Sequence, residues 1–203
     1  MEKTKFFTEN EYHELIGKIE EDYSIHSIRN LAIITIAEYC GLRVSEVGSI
    51  RIHDVDLDKH TIYCRRMKKG NSNTLKIVDE KVFDNLKKYI EIRASYNVQN
   101  SVYLFLSQLG KPISRKTLHN IIKKYCKSSN IPEDKHHFHT LRHTRAVELL
   151  EMGAEIEDVQ WWLGHKNIES TMIYLQYTTK KQESLYSKII IDLKNKALHF
   201  NVR

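Results

Sequence analysis

Apolar residues recur at intervals of three and four along most of this chain, which is the spacing of amphipathic helices. Thr8 and Glu11 have the spacing of a capping box, so the first helix is predicted to begin at Glu9. Gly41 follows the second apolar segment and predicts a left-handed residue that ends a helix over 28–40. The chain is therefore expected to enter its first helix almost at once and to turn sharply at this glycine.

The later elements are predicted from the same periodicity and from polar or glycine boundaries. Helices are expected at about 43–50, 80–93, 114–127, 140–152, 156–163, from 169 across 174, and at 182–198. Between 54 and 78 apolar and polar residues alternate instead, which predicts two or three short antiparallel strands with a basic hairpin tip. The expected fold class is α+β, mostly helical, with a small antiparallel sheet in a single domain over 1–203, whose core covers about 8–180.

Composition adds a basic character to this globular pattern. The 203 residues are 41% hydrophobic and 29% charged, and the formal net charge is +6 with a pI near 9.1. The positive charge is clustered at 65–69, 111–116, 123–124 and 180–181. Several such clusters in one small domain favour a polyanionic partner, whose binding is expected to depend steeply on salt.

Cysteine usage and the chain ends argue against secretion and membrane insertion. Cys40, Cys64 and Cys126 are widely spaced, so they predict neither a disulfide framework nor a zinc knuckle. No apolar signal segment opens the chain, and the longest apolar stretch, 31–37, is too short to span a bilayer. A cytoplasmic, nucleoid-associated location is expected, with no membrane contact, no cofactor and no metal.

Two arginines, two histidines and a tyrosine supply groups suited to attack on a phosphodiester. A guanidinium matches a phosphate with parallel N–H donors, an imidazole exchanges protons near neutral pH, and a tyrosine can form a phosphate ester. His139 and Arg142 share a face at a predicted helix N-terminus and suggest a phosphate cradle. An ordinary phenol is only about one part in a thousand ionised at pH 7, so Tyr174 needs positive neighbours. These groups predict DNA strand breakage and rejoining.

The motifs that carry these groups resemble the signature segments of the tyrosine recombinase, or phage integrase, family. They are Gly41 to Glu46, His139 to His143, Leu163 to His165, and Tyr174. In length and in segments 66–70 and 92–96 the chain is most similar to the small fimbrial phase-variation recombinases, and the resemblance covers about 8–177. It implies the tyrosine recombinase catalytic-domain fold and a site-specific recombinase with a 3′-phosphotyrosyl intermediate. The sequence leaves open whether the recombinase acts in DNA inversion, in integration and excision of a mobile element, or in dimer resolution.

The resemblance also implies a role for each matching residue. The residues it assigns to catalysis are Arg43, His139, Arg142, His165 and Tyr174. The two arginines would clamp the scissile phosphate, the two histidines would hydrogen-bond it or assist proton transfer, and the tyrosine would form the covalent bond. Glu46, one helical turn after Arg43, would orient that arginine. Tyr177 lies three residues too far from His165 to be the nucleophile.

A lysine from the hairpin is suited to protonating the 5′-oxygen leaving group. Neighbouring residues on a strand face opposite ways, so Lys68 and Lys69 are not expected to enter the site together. Spacing from Arg43 favours Lys68, whereas adjacency to Gly70 favours Lys69. Lys68 is the residue predicted here.

The expected partner is a double-stranded DNA recombination site bound by a homotetramer, with accessory DNA-bending proteins. The residues predicted to bind DNA are Arg65, Arg66, Lys69, Arg115 and Lys116. Larger family members carry an N-terminal helical domain that closes a clamp around DNA, and only a short segment precedes the first helix here. Weak binding by a lone monomer is therefore expected.

The sequence leaves open the role of the last predicted helix and the choice among the proposed function and three alternatives. Its apolar stripe of Leu185, Ile189, Ile190 and Leu193 either completes the core or docks on a neighbouring protomer in trans. A DNA-binding regulator without turnover and a type IB topoisomerase are alternatives to a recombinase. A metal-dependent hydrolase is a third, since His139 and His143 are four residues apart, but the glutamate of a His-Glu-x-x-His motif is missing and Arg142 would oppose a metal ion. Activity that survives EDTA would exclude it.

Overall fold

Helices make up most of residues 5–67, 70–95, 101–178 and 186–191, which are the residues described in a computed structural model of the chain. The α-helices are α1 (Glu9–Glu20), α2 (Ser27–Tyr39), α3 (Val44–Val47), α4 (Glu80–Ser95), α5 (Arg115–Ser128), α6 (Phe138–Glu151), α7 (Ile156–Leu163) and α8 (Glu169–Met172). The strands are β1 (Val55–Asp56), β2 (Thr61–Cys64) and β3 (Asn73–Lys76), and single 3-10 turns cover Ile52–Asp54, Glu133–Lys135 and Ile173–Tyr177. Residues 186–191 are also helical.

The local signals in the sequence account for several element ends. The Thr8 side chain accepts the Glu11 N–H while Glu11 accepts the Thr8 N–H, so α1 starts on the predicted capping box. Ser114 caps α5 in the same way, by accepting the N–H of Thr117. Gly164 ends α7 with φ of +65°, as the predicted glycine stop requires.

The three strands form an antiparallel sheet in the order β1-β2-β3. Val55 pairs with Ile62, and Ile62 pairs with Leu75. Ile62 and Leu75 are fully buried, whereas Tyr63 is exposed, which is the period-two pattern of a sheet with one solvent face. The alternation between 54 and 78 therefore predicted the sheet correctly.

Helix α2 runs through the centre of the larger hydrophobic core and packs against α1, α4 and α6. All its residues from Ala32 to Tyr39 are buried. A second cluster joins the C-terminal half of α6, helix α7 and Tyr174, and Trp162 packs against both clusters. The tyrosine predicted as a nucleophile is thus held in the smaller core.

Helix α3 is shorter than the helix predicted over 43–50. After Val47 the backbone tightens into a turn, in which Ser49 N–H donates to the Glu46 carbonyl and Ile50 N–H donates to the Val47 carbonyl. Beyond this turn, Ile52 N–H donates to the Val102 carbonyl and Leu104 N–H donates to the Ile50 carbonyl. These bonds dock the segment before β1 against the chain that follows α4. Tertiary pairing therefore outweighs a local helical pattern at this corner.

The C-terminal helix predicted at 182–198 is described only over 186–191. Ile189 and Ile190 are 44% and 51% exposed, so they do not complete the core of this chain. Leu185 and Leu193 lie outside the described residues. In the described ranges, every helix is too short or too polar to cross a lipid bilayer.

Candidate active site

Arg142 is buried where three helices meet, with only 1% of its surface exposed. Its guanidinium donates to the carbonyl of Gly41, just after α2, and to that of Leu163 at the end of α7, 3.0 Å away. Terminal carbonyls of a helix lack partners within it and carry partial negative charge. Two helix ends therefore fix the orientation of one arginine, and three of its five N–H donors are left over from these two bonds.

Both helix ends depend on glycine. Gly41 has φ of +57°, and a Cβ there would overlap the side chain of Leu163. A Cβ on Gly164 would lie 2.5 Å from the Asn71 carbonyl oxygen. Glycine is thus required at both positions for its conformation and for close packing, so the two glycine motifs of the sequence meet each other in space.

Arg43 lies at the start of α3 and is held by Glu46. The carboxylate accepts the Arg43 guanidinium and backbone N–H, each at 2.9 Å, and the backbone N–H of Met67 at 3.0 Å. Burial opposes ionisation of Glu46, but the two backbone donors and Arg66 outweigh it and lower the pKa of this carboxyl. These contacts between Glu46 and Arg43 have the geometry expected of a residue that orients this arginine.

The buried position of Arg66 disagrees with the prediction that this residue binds DNA. Its side chain has no exposed surface, and its guanidinium donates to the carbonyls of Cys40 at 2.9 Å and Trp162 at 2.5 Å. It also lies 3.4 Å from Glu46. Arg66 therefore joins α2, α3 and α7 from within and is not a surface cation, which corrects the interpretation drawn from its basic cluster.

The hairpin tip is anchored on both sides of the two candidate lysines. Met67 N–H donates to Glu46, and Asn71 N–H donates to the Gly164 carbonyl at 3.2 Å. Lys68 and Lys69 themselves lie outside the described residues. Because β2 ends at Cys64 and β3 begins at Asn73, both lysine positions fall beyond the ladder, and strand alternation does not decide between them.

His165 follows Gly164 and is buried beside α8. Its Nδ1 is 2.8 Å from the hydroxyl of Thr171. Burial, followed by the charges of Arg142, Arg43 and other neighbouring cationic groups, lowers the pKa of His165 to about 3. The ring is therefore neutral at pH 7, and it donates or accepts hydrogen bonds as an uncharged group.

His139 and Tyr174 differ sharply in exposure. His139 is exposed in the first turn of α6, whereas Tyr174 is 2% exposed. Burial raises the pKa of the Tyr174 phenol to about 12, although Arg142 and Arg43 act in the opposite direction. The phenol is neutral in this state and lies within the field of two arginines.

Arg142 is the electrostatic centre of the site. Burial, then Arg43 and Arg66, lower its pKa to about 9, and Glu46 only partly offsets them. Three guanidiniums thus share the neighbourhood of one buried carboxylate. An anion bound there would relieve the repulsion among them.

A hydrogen bond that the sequence did not reveal involves His143, on α6. Its Nδ1 lies 2.8 Å from the Tyr174 hydroxyl. The two residues are 31 positions apart, so no local spacing links them. Only the docking of the 3-10 turn Ile173–Tyr177 onto α6 brings them together.

The remaining predicted DNA-binding residues in the described ranges lie at the surface. Arg65 has 44% of its side chain exposed and packs over the Tyr63 ring. Arg115 and Lys116 are exposed in the first turn of α5, which packs against α3. Across the described residues, no three His, Cys, Asp or Glu side chains are grouped so as to hold a metal ion.

Known proteins are similar to this chain over most of its length. A sequence profile of the phage integrase family matches residues 5–181. The type 1 fimbriae regulatory protein FimB of Escherichia coli is 34% identical over 172 residues, which cover 85% of this chain and 84% of FimB. The tyrosine recombinase XerC of Caldanaerobacter subterraneus subsp. tengcongensis is 34% identical over 170 residues, which cover 83% of this chain but 46% of XerC. The chain is thus similar to nearly all of FimB and to about half of XerC.

Solved structures show the same fold. The crystal structure of XerA recombinase matches with a TM-score of 0.77 and 28% identity, over 92% of this chain and 64% of XerA. XerH bound to a palindromic difH substrate also matches with a TM-score of 0.77, at 22% identity, over 92% of this chain and 53% of XerH. The mostly helical fold with a small antiparallel sheet is therefore the fold of tyrosine recombinase catalytic domains.

Proposed function

The chain belongs to the phage integrase family, and we propose that it is a site-specific DNA recombinase that uses Tyr174 as its nucleophile. The protein would cleave and rejoin double-stranded DNA through a 3′-phosphotyrosyl intermediate. The observation that carries this proposal is the cluster of Arg43 and Arg66 around Arg142, of which Arg142 and Arg43 also act on the Tyr174 phenol, while Glu46 offsets their charge only in part. A phosphodiester supplies the missing negative charge.

Two arginines have the means to hold a scissile phosphate. Arg142 is fixed by the carbonyls of Gly41 and Leu163 and keeps further N–H donors for an anion. Arg43 is held by Glu46 and retains 21% of its side chain exposed. Guanidiniums already in place when charge develops on a pentacovalent phosphorus stabilise it without reorganisation, and loss of one such donor typically slows a reaction by about 10²–10³.

Protons must leave the attacking phenol and reach the departing 5′-oxygen. We assign the second transfer to Lys68 because of its spacing from Arg43, and the flanks of its hairpin are tied to Glu46 through Met67 and to Gly164 through Asn71. Lys69 is the alternative. His165 would hydrogen-bond a non-bridging phosphate oxygen through Nε2, since its Nδ1 is engaged with Thr171, and exposed His139 would approach the phosphate from the open side.

The proposed partner is a duplex recombination site held by four copies of the chain. XerH and related integrases are solved in complex with DNA, which supports a DNA substrate for this fold. The exposed apolar residues Ile189 and Ile190 support docking of the last helix on a neighbouring protomer. Accessory DNA-bending proteins belong to the same proposal.

Covalent trapping tests the function on DNA of any sequence, so no target site has to be chosen in advance. Random single-strand nicks are introduced into genomic DNA from the source organism. Cleavage close to a nick then releases a short fragment, and without this fragment the covalent complex cannot rejoin the DNA. The wild-type protein is expected to yield DNA that stays bound in SDS and maps to a small number of sequences, and EDTA is expected to leave the yield unchanged. Tyr174→Phe is expected to yield none.

The alternatives give different results in the same assay. Specific binding without any SDS-resistant complex would indicate a DNA-binding regulator. Trapped sequences scattered over the genome, together with relaxation of any supercoiled plasmid, would indicate a topoisomerase. Cleavage that EDTA abolishes would indicate a metal-dependent hydrolase.

A further inference from the structure

His143 contacts the reactive atom of the proposed nucleophile. It lies on α6 directly after Arg142, with Nδ1 2.8 Å from the Tyr174 hydroxyl. Its ring is packed between His139, 4.7 Å away between ring centroids, and the Tyr174 ring, 5.6 Å away. A ring nitrogen therefore stands within hydrogen-bonding distance of the phenolic oxygen before any substrate arrives.

We propose that His143 is the general base that accepts the Tyr174 proton when the phenol attacks the phosphate, a role that rests on the proposed function. When its Nε2 carries the hydrogen, Nδ1 has a lone pair and accepts the phenolic O–H. The other two histidines are placed differently, because His139 is exposed and the His165 Nδ1 is engaged with Thr171. The geometry thus separates this role from the roles that the family resemblance implies for His139 and His165.

The proton balance closes over a cycle of cleavage and rejoining. As the bond between the Tyr174 oxygen and phosphorus forms, the phenolic proton moves to Nδ1 of His143. The bond between phosphorus and the 5′-oxygen breaks, and the hairpin lysine protonates that oxygen. In rejoining, a 5′-hydroxyl attacks and returns a proton to the lysine, while the imidazolium protonates the departing phenolate.

A bound phosphate would make His143 a stronger base. Burial, followed by the charges of His139 and Arg142, lowers the pKa of His143 to about 3, so the ring is neutral and able to accept. A phosphodiester beside Arg142 would offset the charge of this arginine and raise the basicity of the imidazole. Transfer of the Tyr174 proton to His143 would therefore be more favourable in the substrate complex than in the DNA-free protein.

The test measures single-turnover covalent complex formation on a nicked duplex recovered from the trapping experiment. His143→Ala is expected to slow the reaction by about 10²- to 10⁴-fold, the usual range for general base catalysis. His143→Asn keeps an acceptor near the position of Nδ1 but does not take up a proton at neutral pH, so it is expected to be as slow. His137→Ala, at the exposed residue before α6, is the control and is expected to react at the wild-type rate.

Two chemical substitutions separate a base from a residue that only positions the phenol. Replacing Tyr174 by 3,5-difluorotyrosine makes the phenol more acidic, so it is expected to restore most of the rate in His143→Asn. A 5′-bridging phosphorothiolate, whose leaving group needs no proton, is expected to restore none. Rescue by the phosphorothiolate instead would assign His143 to the leaving group and overturn the proposal.

The outcomes distinguish this inference from the function on which it rests. A wild-type protein that forms no covalent complex, or a Tyr174→Phe variant that still forms one, overturns both. A complex that is lost in Tyr174→Phe but forms at the wild-type rate in His143→Asn, with an unchanged melting temperature, overturns the role of His143 alone. A faster reaction in His143→Asn would likewise overturn it, by showing that the hydrogen bond restrains the nucleophile.

Discussion

The guanidinium of Arg142 and the carbonyl of Gly41 are hydrogen-bonded although 101 positions separate them in sequence. Arg43 follows that glycine closely and is held by Glu46. The corner after α2 therefore orients one guanidinium through a backbone carbonyl and carries the other on α3. Small changes at this corner are therefore expected to alter the positions of both arginines.

Gly41→Ala tests that dependence. The change is expected to destabilise the fold by more than about 1 kcal/mol, because alanine is strained in the left-handed region and its Cβ would overlap Leu163. Gly17→Ala is the control, since nothing lies within 4 Å of a Cβ there, and in a helix it is expected to stabilise by roughly 0.5–1 kcal/mol. Urea denaturation measures both, and a Gly41→Ala protein as stable as the wild type would contradict the role given to Gly41.

Glu46→Gln is expected to lower stability at pH 7 by about 3 kcal/mol or more, because it leaves Arg43 and Arg66 without their buried counter-charge. The pKa of Glu46 is lowered in the folded state, so its contribution is present above the unfolded value of about 4.3 and is lost as pH falls through the lowered folded value. The difference in unfolding free energy between wild type and variant is therefore expected to narrow in acid. Glu21→Gln, in an exposed pair with Lys18, should have little effect at any pH.

His165→Asn is expected to flatten the acid dependence of stability. The folded pKa of His165 is about 3, below the unfolded value of about 6.5, so the unfolded state binds the extra proton between these values. Wild-type stability should then fall as pH drops below 6.5, by about 1.4 kcal/mol per pH unit for this one group. Urea titrations at pH 7.5 and pH 5 measure the slope, and an identical slope in the variant would mean that His165 is not buried as a neutral ring.

The exposed cations at the start of α5 are expected to contribute to DNA binding through phosphate contacts. Combining Arg115→Ala with Lys116→Ala should reduce the slope of log affinity against log salt by about 2, since each phosphate contact contributes about 0.9. Lys18→Ala, on α1 and paired with Glu21, is the matched control and should leave the slope unchanged. Fluorescence anisotropy over a salt series provides the slope. A slope that changes in Lys18→Ala but not in the double variant would contradict the assignment of Arg115 and Lys116 to DNA binding.

Sequence signals predicted most element boundaries because those signals are local. The capping box at Thr8, the caps at Ser114 and Gly164, and the alternation around Ile62 each act within one element. Helix α3 was predicted too long because the chain after Val47 tightens into a turn and then pairs with residues about 50 positions away. Propensity does not report such pairings.

The candidate site was predictable where a residue type implies its chemistry or where a family motif matches. Arg142 and Tyr174 stood out as groups suited to a phosphodiester, and the structure brings both into one electrostatic neighbourhood. Arg66 was misread because a charge cluster in sequence does not reveal that one member turns inward to meet helix-end carbonyls. The contact between His143 and Tyr174 could not be predicted, because it is made by a turn 31 positions away in sequence.

The most direct test of the central claim is to identify the protein atom that becomes joined to DNA. Trapped complexes are digested with protease and nuclease, and the remaining nucleotide-peptide adduct is sequenced by mass spectrometry. A single adduct on Tyr174 through a 3′-phosphate is expected, with a free 5′-hydroxyl on the cleaved strand. An adduct on Tyr177 or any other residue, or a 5′-phosphate linkage, would contradict the central claim.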